Sequence, residues 1–168
     1  MPVRNQSYIT RLKFANGVFL LCIDNNSTLY YTVDGINWNS TIYKNGQSKC
    51  RDAAYGNGKF LISTGSGFRI DTTIHPDLPL PTSYIIGYVV TGLHFDNGVF
   101  VGGDLSDSGR ILTSNDGINW VHRASMGYPN GGTVGASRKG ISLMGNGLGT
   151  IMRSTDKITW ETVPNWFR

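Results

Sequence analysis

The sequence predicts an all-β protein, a four-bladed β-propeller built from four antiparallel four-stranded repeats of about 41 residues. One observation behind this prediction is composition. The chain has 22 glycines in 168 residues and 11% aromatics, whereas only 15% of its residues are charged, against roughly 25% in an average domain. The other two are an internal repeat and a hairpin dipeptide near the start of most units. Such a composition favours short strands joined by tight turns over helices.

The repeat is visible in two independent markers. One is a set of turn glycines separated by 41, 40 and 42 residues: Gly17, Gly58, Gly98 and Gly140. The other is a set of tryptophans separated by two periods and then one: Trp38, Trp120 and Trp160. Four units nearly exhaust the chain, so we assign one domain, 1–168, with repeats at approximately 8–48, 49–90, 91–130 and 131–168.

The first unit shows the expected strands. They are predicted at 8–15, 18–23, 28–33 and 36–43, and Asn16-Gly17 is a strong type I′ hairpin signal. The run 18–23 is continuously apolar, which predicts a strand covered on both faces. A solenoid of three-sided coils is the rival architecture, but its parallel coils would not need Asn-Gly hairpins. Four antiparallel strands per unit of this length are typical of propeller blades.

Three units contain a recurring turn before the last strand, which we call the Asp turn. Its members are Thr32, Asp34, Gly35 and Trp38; Ser114, Asp116, Gly117 and Trp120; and Ser154, Asp156 and Trp160. This pattern resembles the Asp-box, or sialidase-type BNR repeat, although it is one residue shorter. We interpret these residues as structural, because the same chemistry repeated in each blade suits scaffolding better than a single active site.

The chemistry of the Asp turn follows from its residue types. An aspartate in a turn accepts backbone N–H groups, and Ser or Thr adds a further hydrogen bond. Gly35 and Gly117 permit a positive φ. Lys157 occupies the equivalent position in the third turn, so we expect that turn either to adopt another conformation or to carry strain.

The second unit lacks an Asp turn. A loop with three prolines replaces it, and we interpret this loop either as a grafted binding surface or as a decayed repeat. Tyrosines in irregular segments are candidate sugar-stacking platforms, with core packing as the alternative. The candidate ligand surface comprises His75, Asp77, Tyr84, Tyr88 and Tyr128.

An enzyme is not expected. Phe68-Arg69-Ile70 resembles the Phe-Arg-Ile-Pro motif of sialidases, but Asp71 replaces the proline and Glu161 is the only glutamate. A glycosidase needs two carboxylates flanking the scissile bond. The only tight acidic pair outside the Asp turns is Asp104 and Asp107, which we interpret as hairpin caps, with a weak Ca²⁺ site as the alternative.

Metal and cofactor motifs are also missing from the sequence. His75, His94 and His122 do not have metal-ligand spacing, and no phosphate-binding glycine loop is present. We expect no cofactor, no metal site and no catalytic residue. Cys22 and Cys50 are the only cysteines, and we expect both to be free thiols.

Charge gives little information about partners. The net charge of +4 comes from 15 cations spread along the chain rather than from a basic stripe, so nucleic acid is not an expected partner. No run of 18 apolar residues predicts a membrane span, and the first eleven residues lack the apolar core of a signal peptide.

Together these features predict a non-catalytic structural or binding propeller. In its low charge and its short Ser-, Thr- and Asn-rich repeats, the chain resembles bacteriophage virion proteins of the tail, fibre, collar or capsid surface. That resemblance implies synthesis in the cytoplasm without a signal peptide, a location on the particle surface, and virion proteins or a host glycan as partners. The alternatives are a lectin-like propeller and a sialidase-like hydrolase. Four blades could close as a monomer, pair with a second chain into an eight-bladed ring, or finish against another partner.

Overall fold

The computed structural model describes residues 8–23, 28–42, 49–65, 67–71, 84–86, 88–105, 109–127 and 133–164. For 42, 67–71 and 84–86 it describes the backbone alone. Regular structure in these segments consists of β-strands arranged in four antiparallel sheets of four strands each. The predicted all-β, four-bladed propeller is therefore confirmed. No helix in the described segments has the length and apolarity needed to cross a membrane.

Each sheet is one blade, and its strands neighbour one another in chain order. Blade 1 contains β1 (Ile9–Ala15), β2 (Val18–Ile23), β3 (Thr28–Thr32) and β4 (Asn39–Ile42). Blade 2 contains β5 (Cys50–Gly56), β6 (Lys59–Thr64), β7 (Gly67–Asp71) and β8 (Tyr84–Ile86). Blade 3 contains β9 (Val90–Asp96), β10 (Val99–Asp104), β11 (Arg110–Ser114) and β12 (Val121–Ser125). Blade 4 contains β13 (Val134–Arg138), β14 (Ile141–Gly145), β15 (Ile151–Ser154) and β16 (Glu161–Thr162).

The first two strands of every blade are joined by a two-residue turn with positive φ at both positions. In blade 1 these φ angles are 48° at Asn16 and 77° at Gly17, as a type I′ turn requires. The equivalent pairs are Asn57-Gly58, Asn97-Gly98 and Lys139-Gly140. Because the turn fixes the register, residues counted from it are equivalent in all four blades.

The core consists of three apolar clusters. The first contains Leu20, Cys22, Leu29 and Tyr31 of blade 1 with Cys50, Ala53, Phe60 and Ile62 of blade 2. The second contains Ala54 and Leu61 of blade 2 with Val90, Leu93, Phe100 and Leu112 of blade 3. The third contains Val101, Ile111 and Met126 of blade 3 with Met144 and Met152 of blade 4. Each cluster therefore lies between two neighbouring blades, which buries both sides of blades 2 and 3.

The prediction that Val18–Ile23 is covered on both faces is wrong. Leu20 and Cys22 are buried, but the residues that alternate with them on the other face are half-buried. In blades 2 and 3 the equivalent strands β6 and β10 are buried along nearly their whole length. The difference arises because blade 1 has a neighbour on one side and none of the described residues covers the other.

The prediction of two free thiols is also wrong. Cys22 of β2 and Cys50 of β5 form a disulfide across the interface of blades 1 and 2, with their Cα atoms 5.1 Å apart. Both residues are buried in the first apolar cluster. The propeller stacking brings together two cysteines that are 28 residues apart in sequence, so the bond links neighbouring blades.

Candidate functional site

The carboxylates of the Asp turns are engaged by their own turns. Oδ1 of Asp34 accepts the backbone N–H groups of Ile36 and Asn37, each at 2.8 Å. The hydroxyl of Thr32 donates to the same oxygen at 2.8 Å, and the Asn37 amide donates to Oδ2 at 2.7 Å. Asp116 accepts the same four kinds of hydrogen bond from Ser114, Ile118 and Asn119. These interactions explain why β4 begins at Asn39 and not at residue 36, as the sequence suggested.

These hydrogen bonds stabilise the ionised carboxylates. The N–H of Ile36 is the largest cause of a lowered pKa at Asp34, and the N–H of Asn119 is the largest at Asp116. The N–H of Thr159 leads the causes that lower the pKa of Asp156 to about 2. A carboxyl group whose pKa is lowered in this way stays ionised at neutral pH and is poorly suited to act as a general acid.

The third Asp turn adopts the same conformation as the other two. The expectation that Lys157 would give this turn another conformation is therefore wrong. The φ angle of Lys157 is 63°, compared with 76° at Gly35 and at Gly117. The N–H of Lys157 donates to the Ser154 hydroxyl at 2.8 Å, as the N–H of Gly117 does to Ser114. A lysine therefore occupies a left-handed position that favours glycine.

The Asp turns of blades 3 and 4 also attach these blades to the preceding ones. Asn57 and Lys59 of blade 2 donate side-chain hydrogen bonds to the carbonyl groups of Asn115 and Asp116 at 2.8 and 3.1 Å. In blade 4, the ammonium of Lys157 donates to the Gly140 carbonyl at 2.7 Å and forms an ion pair with Asp96 of blade 3. These two Asp turns therefore contribute to the contacts between blades.

The tryptophans of the Asp turns differ in burial. Trp120 packs against the second apolar cluster and Trp160 against the third, so each lies on the side of its blade that faces the preceding blade. Trp38 occupies the equivalent position in blade 1 and is 42% exposed. Its exposure follows from the lack of a preceding blade in the described structure.

A charged cluster lies where the first strands of blades 1, 2 and 3 meet. Asp52 is fully buried and accepts the N–H groups of Ala53 and Leu93, each at 2.9 Å. Lys13 of blade 1 lies 3.4 Å from this carboxylate and donates to the Leu93 carbonyl at 3.1 Å. Arg11, which is on the same strand as Lys13, lies 3.8 Å from the Asp52 carboxylate. The cluster ties blades 1, 2 and 3 together, and no sequence pattern singled it out.

The candidate ligand surface is only partly within the described segments. His75, Asp77 and Tyr128 lie outside them, and Tyr84 belongs to β8, of which the backbone alone is described. Tyr88 is half-buried and packs against the cluster between blades 2 and 3. Of these five residues, Tyr88 is thus the one whose environment is described, and that environment is core packing.

The enzyme-like candidates do not converge within the described part of the chain. Arg69 lies on β7, where β7 pairs with both β6 and β8. Asp104 is buried at the end of β10, and Asp107 lies outside the described residues. His94 is buried with Nδ1 2.9 Å from the Gly92 carbonyl, and burial lowers its pKa. Among the residues described, no group of three or more His, Cys, Asp or Glu side chains is arranged to hold a metal ion.

A shallow polar groove runs beside the second Asp turn. It is lined by Thr113, Ser114, Asn115, Asp116, Asn119, Val121 and Arg123. The guanidinium of Arg123 donates to the Thr113 hydroxyl at 2.9 Å, and Asp116 is engaged by its own turn. The groove therefore offers hydrogen-bonding groups but no pair of free carboxylates.

An aromatic pair flanks the hairpin in each of the first three blades. Phe14 and Phe19 flank the blade 1 hairpin with ring centroids 4.8 Å apart. The pairs Tyr55–Phe60 and Phe95–Phe100 occupy equivalent positions, at 4.8 and 4.7 Å. Tyr55 and Phe95 are half-buried, but Phe14, at the same position in blade 1, is 64% exposed. The spacing of five residues around each turn was the available signal.

The comparisons with known proteins identify the fold and no family. No protein-family model and no curated protein matches the sequence. The WD40 β-propeller domain of Doa1 is similar in structure, with a TM-score of 0.65 and 14% identity over 97% of this chain and 56% of that one. The computationally designed Ika4 protein has a TM-score of 0.56 and 16% identity over 89% of this chain and 91% of Ika4.

An enzyme is also among the similar structures. Glutaminyl cyclase from Myxococcus xanthus has a TM-score of 0.58 and 12% identity over 92% of this chain and 70% of the cyclase. Identities this low establish the propeller architecture alone. This chain spans slightly more than half of the Doa1 domain and most of Ika4.

Proposed function

We propose that this chain is a non-catalytic propeller that serves as a structural and binding module, as a component of a bacteriophage virion such as its tail, fibre, collar or capsid surface. One observation carries the non-catalytic part. The described carboxylates that repeat from blade to blade are occupied by hydrogen bonds of their own turns, and we interpret these turns as Asp-boxes used as scaffolding.

Exposed apolar residues support a protein partner. Each Asp turn presents an isoleucine at the same position: Ile36 is 80% exposed, Ile118 is 45% exposed and Ile158 is 58% exposed. Apolar side chains repeated on a rigid surface are suited to contact with neighbouring proteins. A low proportion of charged residues and a disulfide between blades agree with a place on an extracellular particle, where thiols are readily oxidised.

The proposal is tested on particles and on substrates. Peptide mass spectrometry of purified particles is expected to find the chain at a fixed stoichiometry. A triple variant, Ile36→Asp with Ile118→Asp and Ile158→Asp, should fold yet be lost from the particles, whereas Leu148→Asp, at a residue 64% exposed outside the Asp turns, should be retained. Equal incorporation of both variants would remove the proposed surface.

Two outcomes would favour the alternatives. Binding on a glycan array with one site per blade would favour the lectin-like propeller. Release of sialic acid or of polysaccharide fragments, abolished by Arg69→Ala, would establish a hydrolase. The expected results are no repeated sugar binding and no release.

A further inference from the structure

The outer side of blade 1 is the face that points away from blade 2. Apolar residues are exposed on this face, although their equivalents in blades 2 and 3 are buried. Leu12 is 60% exposed, whereas its equivalents Ala53 and Leu93, four residues before the turn in blades 2 and 3, are 1% and 0% exposed. Ile9 is 66% exposed, and its equivalents Cys50 and Val90 are fully buried. Phe14 and Trp38 complete the same apolar side.

The outer side of blade 4 is the face that points away from blade 3, and it also exposes apolar residues whose equivalents in the other blades are packed. Leu143, three residues after the turn glycine, is 41% exposed. Its equivalents Leu20, Leu61 and Val101 are at most 1% exposed, because each packs on the blade that follows. Ile141 is 39% exposed, whereas its equivalents Val18 and Val99 pack against the clusters at the interfaces that follow them.

Within the described residues these two sides do not meet. None of the three apolar clusters of the described residues contains side chains from both blade 1 and blade 4. The contact described between these blades is polar, a hydrogen bond from the Arg11 guanidinium to the Thr133 carbonyl at 3.5 Å. The described residues of the four blades thus form an open array with an apolar face at each end.

We propose that a second copy of this chain covers both faces. Blade 4 of each chain packs on blade 1 of the other, and two chains close an eight-bladed ring. This inference is independent of the proposed function. It rests on the internal interfaces, where equivalents of Leu143 and Leu12 lie in one cluster: Leu20 with Ala53, and Leu61 with Leu93.

The second copy is favoured because one chain carries both halves of the interface. A face of the blade 4 type and one of the blade 1 type are different surfaces, and a twofold axis between the two chains generates the contact between them twice. Eight blades lie within the usual range of four to eight for propellers, whereas a third copy would exceed it. Closure also covers the exposed apolar faces that would otherwise favour aggregation.

The test measures mass in solution for the whole 168-residue chain with its disulfide intact. Sedimentation equilibrium and native mass spectrometry are expected to give twice the 18.4 kDa of one chain. Leu12→Asp and Leu143→Lys should each raise the dimer dissociation constant by roughly 100-fold, since each places a charge in both interfaces. The double variant sets the introduced aspartate of one chain against the introduced lysine of the other and should recover part of that loss.

The double variant also tests the pairing. If like faces met, it would place Asp against Asp and Lys against Lys and would bind more weakly than either single variant. Ile158→Lys is the matched control, because Ile158 is 58% exposed and its equivalent Ile118 remains exposed in blade 3, which has a neighbour on both sides. This control should remain dimeric, and circular dichroism should show that all variants fold.

Other outcomes would overturn the proposal. They are a wild-type chain that stays monomeric at every concentration, a polymer that grows with concentration, and a dimer that both single variants leave intact. The proposal is supported if each single variant weakens the dimer and the double variant restores part of its stability.

Discussion

The ammonium of Lys157 forms an ion pair with the carboxylate of Asp96, and this pair joins the Asp turn of blade 4 to the hairpin of blade 3. The Lys157 side chain is 4% exposed and that of Asp96 is 16% exposed. Lys157 is also one of the non-glycine residues with positive φ. The interactions of its side chain offset the cost of a conformation that the equivalent glycines of the other Asp turns adopt without strain.

Replacing Lys157 by methionine should destabilise the protein. The substitution keeps most of the apolar stem but leaves the Asp96 carboxylate without its cation in a largely buried place. We expect the free energy of unfolding to fall by about 2–3 kcal/mol, below the range for fully buried pairs because Asp96 is partly exposed. Urea unfolding monitored by tryptophan fluorescence measures this change.

The matched control for Lys157→Met is a double-mutant cycle with Asp96→Asn. If the two charges interact, the double variant should lose less stability than the two single variants added together. Strictly additive losses would show that Lys157 acts through packing or backbone conformation and not through the ion pair.

The Asp turns should make stability dependent on pH in the acid range. Their pKa values are lowered in the folded protein, to about 2 for Asp156, from an ordinary value of 3.8. The folded state therefore binds fewer protons than the unfolded state, and the stabilisation is complete well above pH 3.8. It should be lost as the pH falls from that value towards the folded pKa, which urea unfolding across the acid range measures.

Asp116→Asn isolates this effect from the buried His94. The difference in unfolding free energy between wild type and this variant should be constant near neutral pH, at about 1 kcal/mol because the turn is exposed to solvent. The difference should then shrink in acid, where the wild-type carboxylate is protonated as well. A difference that grows as the pH falls would contradict the assignment.

The hairpins and blades could be predicted from sequence because their causes are local. Asn16-Gly17, Asn57-Gly58 and Asn97-Gly98 encode positive φ at two successive positions, and the repeat transfers that turn to Lys139-Gly140. The period of about 41 residues then specifies four equivalent sheets. Each of these features depends on residues close together in the chain.

The contacts between blades could not be predicted in the same way. The disulfide and the Lys157–Asp96 pair join residues of different blades whose sequence separations are not multiples of the repeat. The Asp52 cluster does join residues one repeat apart, such as Arg11 and Asp52, but the equivalent residues of blades 3 and 4, Gly92 and Val134, are uncharged, so the repeat does not reveal it. Exposure of Leu12 and Leu143 depends on whether the ends of the array meet, which a periodic sequence leaves open. Lys157 keeps the turn conformation because tertiary contacts override local preference.

Gly56→Ala should disturb the interface of blades 2 and 3. A Cβ atom at residue 56 would overlap the ring of Phe95, and the ring is confined by the neighbouring Phe100. We expect a loss of about 1–3 kcal/mol, as for other overpacked sites. Gly65→Ala is the matched control, because the nearest atom to its Cβ would be the Lys49 nitrogen at 3.7 Å. Similar unfolding free energies for both variants in urea would contradict this packing.

Removing the disulfide should destabilise the protein without changing its fold. The bond closes a loop between residues 28 apart, and the chain-entropy model gives a loss of about 3–4 kcal/mol when it is opened. Urea unfolding of Cys22→Ala with Cys50→Ala, compared with oxidised wild type, measures this loss. Thiol titration of wild type unfolded without reductant is the control for the bond itself and should detect no free thiol, because the described chain holds both cysteines in the bond. Two reactive thiols per chain would show that the cysteines pack side by side without bonding, and the double variant would then lose only the small packing contribution of two buried sulfur atoms.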